Sequence, residues 1–296
     1  MDAVNRRNFL ISAGTALAAP LVAPRAAQAK TRDLHKAIMY ATVGVKGTVL
    51  EKFQAVKAAG FEGIEPMSHM TQSEVLDAFA ATGLKPASVC CETHWRKPLS
   101  DADPAVRQAG LDGLLQALRD AKAYGASSVL LVPAVVNKAT AFDDAWKRSQ
   151  IEIRKAIPVA QQLGVKIAIE NVWNQFILTP LEAARYVDEF ESPWVGWHFD
   201  VGNCVTYGFP EQWVHILNKR IVKLHIKEYS RAKRDKQGPS AGFSVAYMEG
   251  DNDWPAVMAA IDQIGYTGWG IAEQPGGDTP EGLKTLTSGM DRIFTS

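Results

Sequence analysis

Trp197-His198-Phe199-Asp200-Val201-Gly202-Asn203 is the stretch from which the rest of the chain reads. Residues 194–199 are aromatic and β-branched, as a buried strand is, and they run into Asp200, a carboxylate that a plain core does not choose at that depth. Gly202 then lets the chain turn away. In a parallel α/β fold, ligand-contacting groups sit at the C-terminal ends of strands, so an acid there is a functional candidate on position alone.

Working outward, the same unit recurs: a short apolar run, a turn, then a helix-length amphipathic run closed by glycine. The pattern predicts strands over 36–42, 63–67, 85–92, 127–133, 165–170, 194–200, 221–227 and 267–273. Helices are expected over 48–59, 71–82, 104–124, 142–163, 179–190, 210–219 and 253–264, with a last one from Pro280. Pro158 should kink the fourth helix, and the polar segment 230–250 reads as a mobile loop. Eight consecutive βα units favour a closed (β/α)8 TIM barrel over a doubly wound open sheet. Val43-Gly44-Val45-Lys46-Gly47 is too loose for a dinucleotide or P-loop fingerprint. No low-complexity linker divides the chain, so residues 30–296 are expected to form one domain.

At the N-terminus, Asn5-Arg6-Arg7-Asn8-Phe9-Leu10 precedes a small-residue apolar run over 11–23 and Ala27-Gln28-Ala29. That arrangement reads as a twin-arginine export signal over 1–29, cleaved after Ala29, which places the mature protein in the periplasm. The apolar run is short of the roughly 20 residues that span a bilayer, so no stable membrane anchor is expected after cleavage. Cleavage removes three basic residues and one acidic one, leaving 29 basic against 31 acidic over 267 residues. A near-neutral chain carries no electrostatic footprint for nucleic acid. Three cysteines, Cys90, Cys91 and Cys204, are too few and of the wrong parity for a disulfide framework and read as small buried residues.

Four successive predicted strands end in metal-capable groups: Glu170, Asp200, His225 and Glu273. Each alone has a plain alternative, since a strand-end acid can cap a helix and a buried histidine is usually just hydrogen-bonded. Together at the rim of a closed barrel they form a hard, mostly oxygen donor set. Such a set suits one divalent ion, Mn²⁺ or Mg²⁺, with Co²⁺, Fe²⁺ or Zn²⁺ depending on availability. Three acids that close would raise each other's pKa, and a cation is the natural means of keeping them ionised.

Ile169-Glu170-Asn171, His198-Phe199-Asp200-Val201-Gly202-Asn203, Leu224-His225-Ile226-Lys227-Glu228 and Ile271-Ala272-Glu273 resemble the sugar phosphate isomerase/epimerase superfamily, the xylose isomerase-like TIM barrels. The resemblance covers nearly the whole mature chain, including Glu249-Gly250-Asp251 and Asp253-Trp254. It implies that Glu170 and Glu273, besides holding metal, are the catalytic pair that exchanges a proton on either face of a sugar. In the ketose 3-epimerase branch a glutamate would stand at Phe176 and a histidine at Asn203, while that branch's arginine falls on Arg231. These departures point to a relative with altered sugar handling.

Further substrate-binding candidates follow from position. Lys227, two residues from His225, faces the same side and either reaches a substrate oxygen or pairs with Glu228 on the rim. His198 lies one layer below Asp200, where it is expected either to be structural or to support the metal-ligating groups above it. Glu92 and His94 end the third strand, and His94 is the candidate general acid for a leaving group; His69 is a less specific candidate. Trp95, Trp173 and Tyr207 are placed to stack on sugar faces.

The expected activity is that of a metal-dependent isomerase or epimerase acting through an enediolate on an unphosphorylated sugar, in carbohydrate metabolism. Two alternatives stay open: a 3-keto-glycoside lyase that uses the same first step followed by β-elimination, and a non-catalytic, metal-dependent sugar-binding protein. An apurinic endonuclease would need a trinuclear cluster with more histidines than the six present. The sequence leaves a homo-oligomer open.

Overall fold

The computed structural model describes residues 32–296. The export signal expected over 1–29 lies outside the described residues.

Nine strand segments make one parallel sheet: β1 (Leu34–Met39), β2 (Gly63–Glu65), β3 (Lys85–Pro86), β4 (Val89–Cys90), β5 (Ser128–Leu131), β6 (Lys166–Glu170), β7 (Val195–Asp200), β8 (Ile221–Ile226) and β9 (Gly268–Ala272). Their order is β3-β2-β1-β9-β8-β7-β6-β5-β4. The two end segments, β3 and β4, are consecutive pieces of the single strand expected over 85–92, so that strand closes the barrel. Its division has a local cause. Lys85 and Ala87 donate their N–H groups to Glu62 and Ile64 on the β2 side. The intervening Pro86 would have to donate towards β5 and has no N–H, so pairing with β5 begins at Val89↔Val129.

The helices are α1 (Val49–Ala58), α2 (Gln72–Thr82), α3 (Pro104–Tyr124), α4 (Phe142–Leu163), α5 (Pro180–Asp188), α6 (Pro210–Leu217), α7 (Arg231–Gln237), α8 (Trp254–Gln263) and α9 (Pro280–Thr295). Capping boxes start α1 (Thr48 with Glu51) and α5 (Thr179 with Glu182). Glycines in the left-handed region, Gly83, Gly125 and Gly164, close α2, α3 and α4. α4 is a single helix with Pro158 inside it.

Segment 230–250, read from sequence as a loop, carries structure. α7 is capped by the Ser230 side chain and is followed by a 3-10 turn at Pro239–Phe243. The turn is anchored by aromatic packing of Phe243 on Tyr229 and Trp173, each 4.8 Å between ring centroids. Polar composition concealed these few anchors.

The main core lies between the sheet and the helices. A smaller cluster of Ala37, Ala87 and Ile271, with Met39 and Trp269 against it, fills part of the barrel lumen. All three cysteines are buried and unpaired. Among the described residues no helix is long and apolar enough to cross a membrane.

Candidate active site and metal centre

Strand register brings the four expected groups together. Glu170 pairs with His198, and Asp200 pairs with His225. His225 pairs with Ile271, two residues before Glu273. Alternate residues of a strand share a face, so Glu170, Asp200, His225 and Glu273 all enter the lumen at its C-terminal rim. One donor atom from each lies within 4.8 Å of the others.

His225 Nδ1 sits 2.9 Å from Glu170 Oε1, 3.1 Å from Glu273 Oε2 and 3.8 Å from Asp200 Oδ2. Its Nε2 lies 3.0 Å from Glu65 Oε2, and both side chains are fully buried. The Ser88 hydroxyl donates in turn to Glu65. This chain of contacts aims one ring nitrogen at the three carboxylates and ties the other to an outer carboxylate, the arrangement that orients a metal-ligating histidine. Nothing in the sequence marks Glu65 beyond its being an acid within the strand expected over 63–67, and it is the structure that ends that strand at Glu65.

Asp200 is held from behind. Its N–H donates to Asn171 Oδ1 at 3.0 Å, and its carbonyl accepts from Asn171 Nδ2 at 2.8 Å. Its Oδ1 accepts the Asn203 N–H at 2.7 Å, while its Oδ2 is buried with no hydrogen-bond partner among the described residues. Gly202 permits a close approach rather than a left-handed turn: a Cβ there would meet the Lys227 carbonyl oxygen at 2.7 Å.

Lys227 pairs with Glu273 at 2.9 Å and Asp200 at 3.4 Å, not with Glu228. Glu228 points away and accepts from Trp254 Nε1 and the Met248 N–H, fixing the loop before α8. The ionisations diverge accordingly. Burial raises Glu170 despite its pairing with His225, and burial pushes Asp200 well up despite Lys227. Glu273 is half-buried, and although its desolvation acts to raise it, Lys227 and His225 win and hold it well below the usual carboxylate range. Burial opposes a charge on His225, yet Glu65, Glu273 and Glu170 hold its imidazole well above the ordinary value. One lysine and one histidine therefore leave the carboxylates under-compensated. Asp200 Oδ2, which accepts no hydrogen bond among the described residues and has Lys227 Nζ at 3.4 Å, and the oxygen-rich donor set fit a divalent cation held by Glu170, Asp200, His225 and Glu273.

The cluster opens into a cavity of about 220 Å³ whose lining includes Glu170, Glu273, Lys227, Asn203, His94, Trp95 and Trp173. His94 accepts the Val132 N–H on Nδ1 at 3.1 Å, which leaves the Nε2–H for the cavity. Burial pushes its pKa down to about 3, so it is neutral at pH 7 and presents a hydrogen-bond donor to the cavity. Trp173 is fixed by a 2.9 Å bond from Nε1 to the Asn203 carbonyl. Phe243, from the segment read as a loop, joins this wall, with Lys227 Nζ 4.7 Å from its ring centre.

Arg231 lies elsewhere. Its guanidinium is committed to the carbonyls of Val205 and Gly208 and stacks over Phe209, and it is not among the cavity-lining residues. Phe176 is core, packed on Trp146 and Tyr186. Tyr207 is half-exposed outside the cavity lining, and Glu92 is paired with Arg96. His198 is fully buried beneath His225, 4.2 Å between ring centres, with neither nitrogen hydrogen-bonded among the described residues. His69 bonds to Ser68.

The profile of the family described as "Xylose isomerase-like TIM barrel" matches residues 53–291. L-ribulose-5-phosphate 3-epimerase from Escherichia coli is 24% identical over 233 residues, which cover 74% of this chain and 79% of the relative. Among solved structures, 3-keto-D-glucoside 4-epimerase from E. coli superposes with a TM-score of 0.73 at 18% identity, covering 90% of this chain and 100% of that one. The IOLI protein with a binding zinc atom gives 0.70 at 17% identity, covering 88% and 98%.

Proposed function

The chain belongs to the xylose isomerase-like TIM barrel family, and from that premise we propose that it is a divalent-metal-dependent sugar epimerase or isomerase. The observation that carries this reading is that Glu170 and Glu273, from strands on either side of β7 and β8, line one cavity above a shared cluster. The chemistry a bound divalent ion supplies there is Lewis-acid polarisation of a carbonyl and its neighbouring hydroxyl, which acidifies the carbon-bound proton between them. One glutamate removes that proton and the other returns one. Lys227 and the His94 Nε2–H orient sugar oxygens, Asn203 borders the cavity beside them, and Trp173, Trp95 and Phe243 offer apolar faces to the ring.

Epimerases acting on a pentulose phosphate and on a 3-keto-glucoside are both represented among the relatives by name. An unphosphorylated sugar is favoured here. Among the described lining residues Lys227 is the one cation, and it is already shared by Glu273 and Asp200. Mn²⁺ is the proposed ion, since three carboxylates and one imidazole suit it. Arg6-Arg7 and the apolar run behind them support action in the periplasm. Cell fractionation of the wild type and an Arg6→Lys/Arg7→Lys variant tests that location, and cytoplasmic retention of both would refute it.

The reaction is tested by proton NMR in deuterated buffer on Mn²⁺-loaded and EDTA-treated protein, with ketohexoses and a 3-keto-glucoside. Metal-dependent incorporation of a solvent deuteron next to the carbonyl, with epimer formation, is the expected result. Aglycone release would select the elimination reading. No exchange on any of these sugars would overturn the proposal.

A further inference from the structure

At the opposite end of the barrel, below the N-terminal ends of β5, β6 and β8, a second cavity of about 400 Å³ opens. Three lysines line it, Lys166, Lys219 and Lys223, and among the described residues no acid does. Register accounts for two of them: Ser128 pairs with Lys166, and His198 pairs with Lys223, so these side chains share the lumen face with the metal cluster but lie beneath it.

None of the three lysines is in an ion pair among the described residues. Lys223, only 7% exposed, donates to Ser127 Oγ at 2.9 Å. Lys219 donates to the Ile264 carbonyl. Lys166 has no hydrogen bond to a described side chain. Ser128 Oγ, buried in the same lining, has no hydrogen-bond partner among the described residues.

The plain alternative is that these lysines answer helix ends. α4, α6 and α8 do finish here, with Gly164, Asn218 and Gly265 in the lining. Each C-terminal end carries about half a negative charge, so three ammonium groups leave about one and a half positive charges unanswered. Burial lowers the Lys223 pKa to about 8, which leaves it mostly charged at pH 7, and Glu65, whose charge Lys223 feels, is already committed to His225 and Ser88. A partly desolvated cationic trio beside an unused hydroxyl is costly without an anion.

We propose that this N-terminal mouth binds a phosphate-class dianion, either free or as the head group of a small phosphomonoester. Lys166 and Lys219 supply charge at the accessible lip, Lys223 supplies the floor, and Ser128 adds a neutral hydroxyl donor. The site is independent of the sugar cavity, which lies at the other end of the lumen.

Titration calorimetry on the metal-loaded protein at low salt tests this, with inorganic phosphate and phenyl phosphate as separate probes. The expected result is saturable one-to-one binding that weakens as salt is raised. It should weaken at least tenfold in Lys166→Met/Lys219→Met, while sugar exchange activity persists and shows that the variant is folded. Lys166→Glu alone should weaken it as much. Tighter binding of phenyl phosphate assigns the site to a phosphomonoester, and tighter binding of inorganic phosphate assigns it to the free ion. No saturable binding of either probe, or binding unchanged in the folded variants, would overturn the proposal.

Discussion

Replacing Glu65 tests how the proposed metal site is held. Glu65 Oε2 accepts from His225 Nε2 at 3.0 Å with both side chains fully buried, and its other oxygen accepts from Ser88. Glu65→Gln keeps the volume and one acceptor but removes the charge. A hydrogen bond to a charged partner contributes about 1.5–3 kcal/mol, which at 1.4 kcal/mol per decade is roughly 10- to 100-fold. Metal affinity is where that loss should fall, since the bond sets the basicity and direction of Nδ1. Calorimetric titration of Mn²⁺ into EDTA-stripped protein should therefore show about 10- to 100-fold weaker binding, with most turnover recovered at saturating Mn²⁺. Ser88→Ala should shift affinity the same way by less. A Glu65→Gln affinity within twofold of wild type would refute the argument. So would a loss as large as that of His225→Gln, which would make Glu65 a ligand rather than a support.

The remaining predictions concern the pocket and its frame. Glu170→Gln and Glu273→Gln should each lower solvent exchange at the substrate carbon by about 10²- to 10⁴-fold, the usual contribution of a positioned acid or base; deuterium incorporation checks it, and full activity in either variant would remove the two-glutamate mechanism. His94 has a folded-state pKa of about 3 against 6.5 for free imidazole, so the unfolded chain takes up its proton first. Stability from this group is whole above about pH 6.5 and falls towards pH 3, by up to about 1.4 kcal/mol per pH unit. Urea midpoints between pH 7 and 4 should therefore fall less steeply in His94→Gln than in wild type. Gly202→Ala would press a Cβ against the Lys227 carbonyl oxygen at 2.7 Å and cost about 1–3 kcal/mol. A lower Tm with a raised KM is expected, and an unchanged Tm would show that the backbone yields there.

Local pattern carried a great deal of this protein. A strand and the helix that follows it are set by periodicity, caps and glycine stops, all within a few residues. The strand ends at Glu170, Asp200, His225 and Glu273 were therefore legible, and counting eight units was enough to expect a closed barrel. Parity also placed His198 and Lys227 on the lumen side before any contact was known.

What tertiary structure decided was who meets whom across the lumen. Glu65 and His225 are 160 positions apart and belong to β2 and β8, with β1 and β9 between them in the sheet. Glu62, three residues earlier, bonds to exposed His35 instead, and local sequence does not say which of the two acids meets a distant buried histidine. Arg231 and Phe243 share a polar segment, yet one clamps backbone carbonyls while the other walls the cavity. The three lysines of the N-terminal mouth come from β6, β8 and the turn before β8, and only closure makes them neighbours. Sequence specifies which face of its own element a side chain takes, because that depends on local backbone geometry. Its partner, and with it the charge it must live with, depends on how the whole sheet closes.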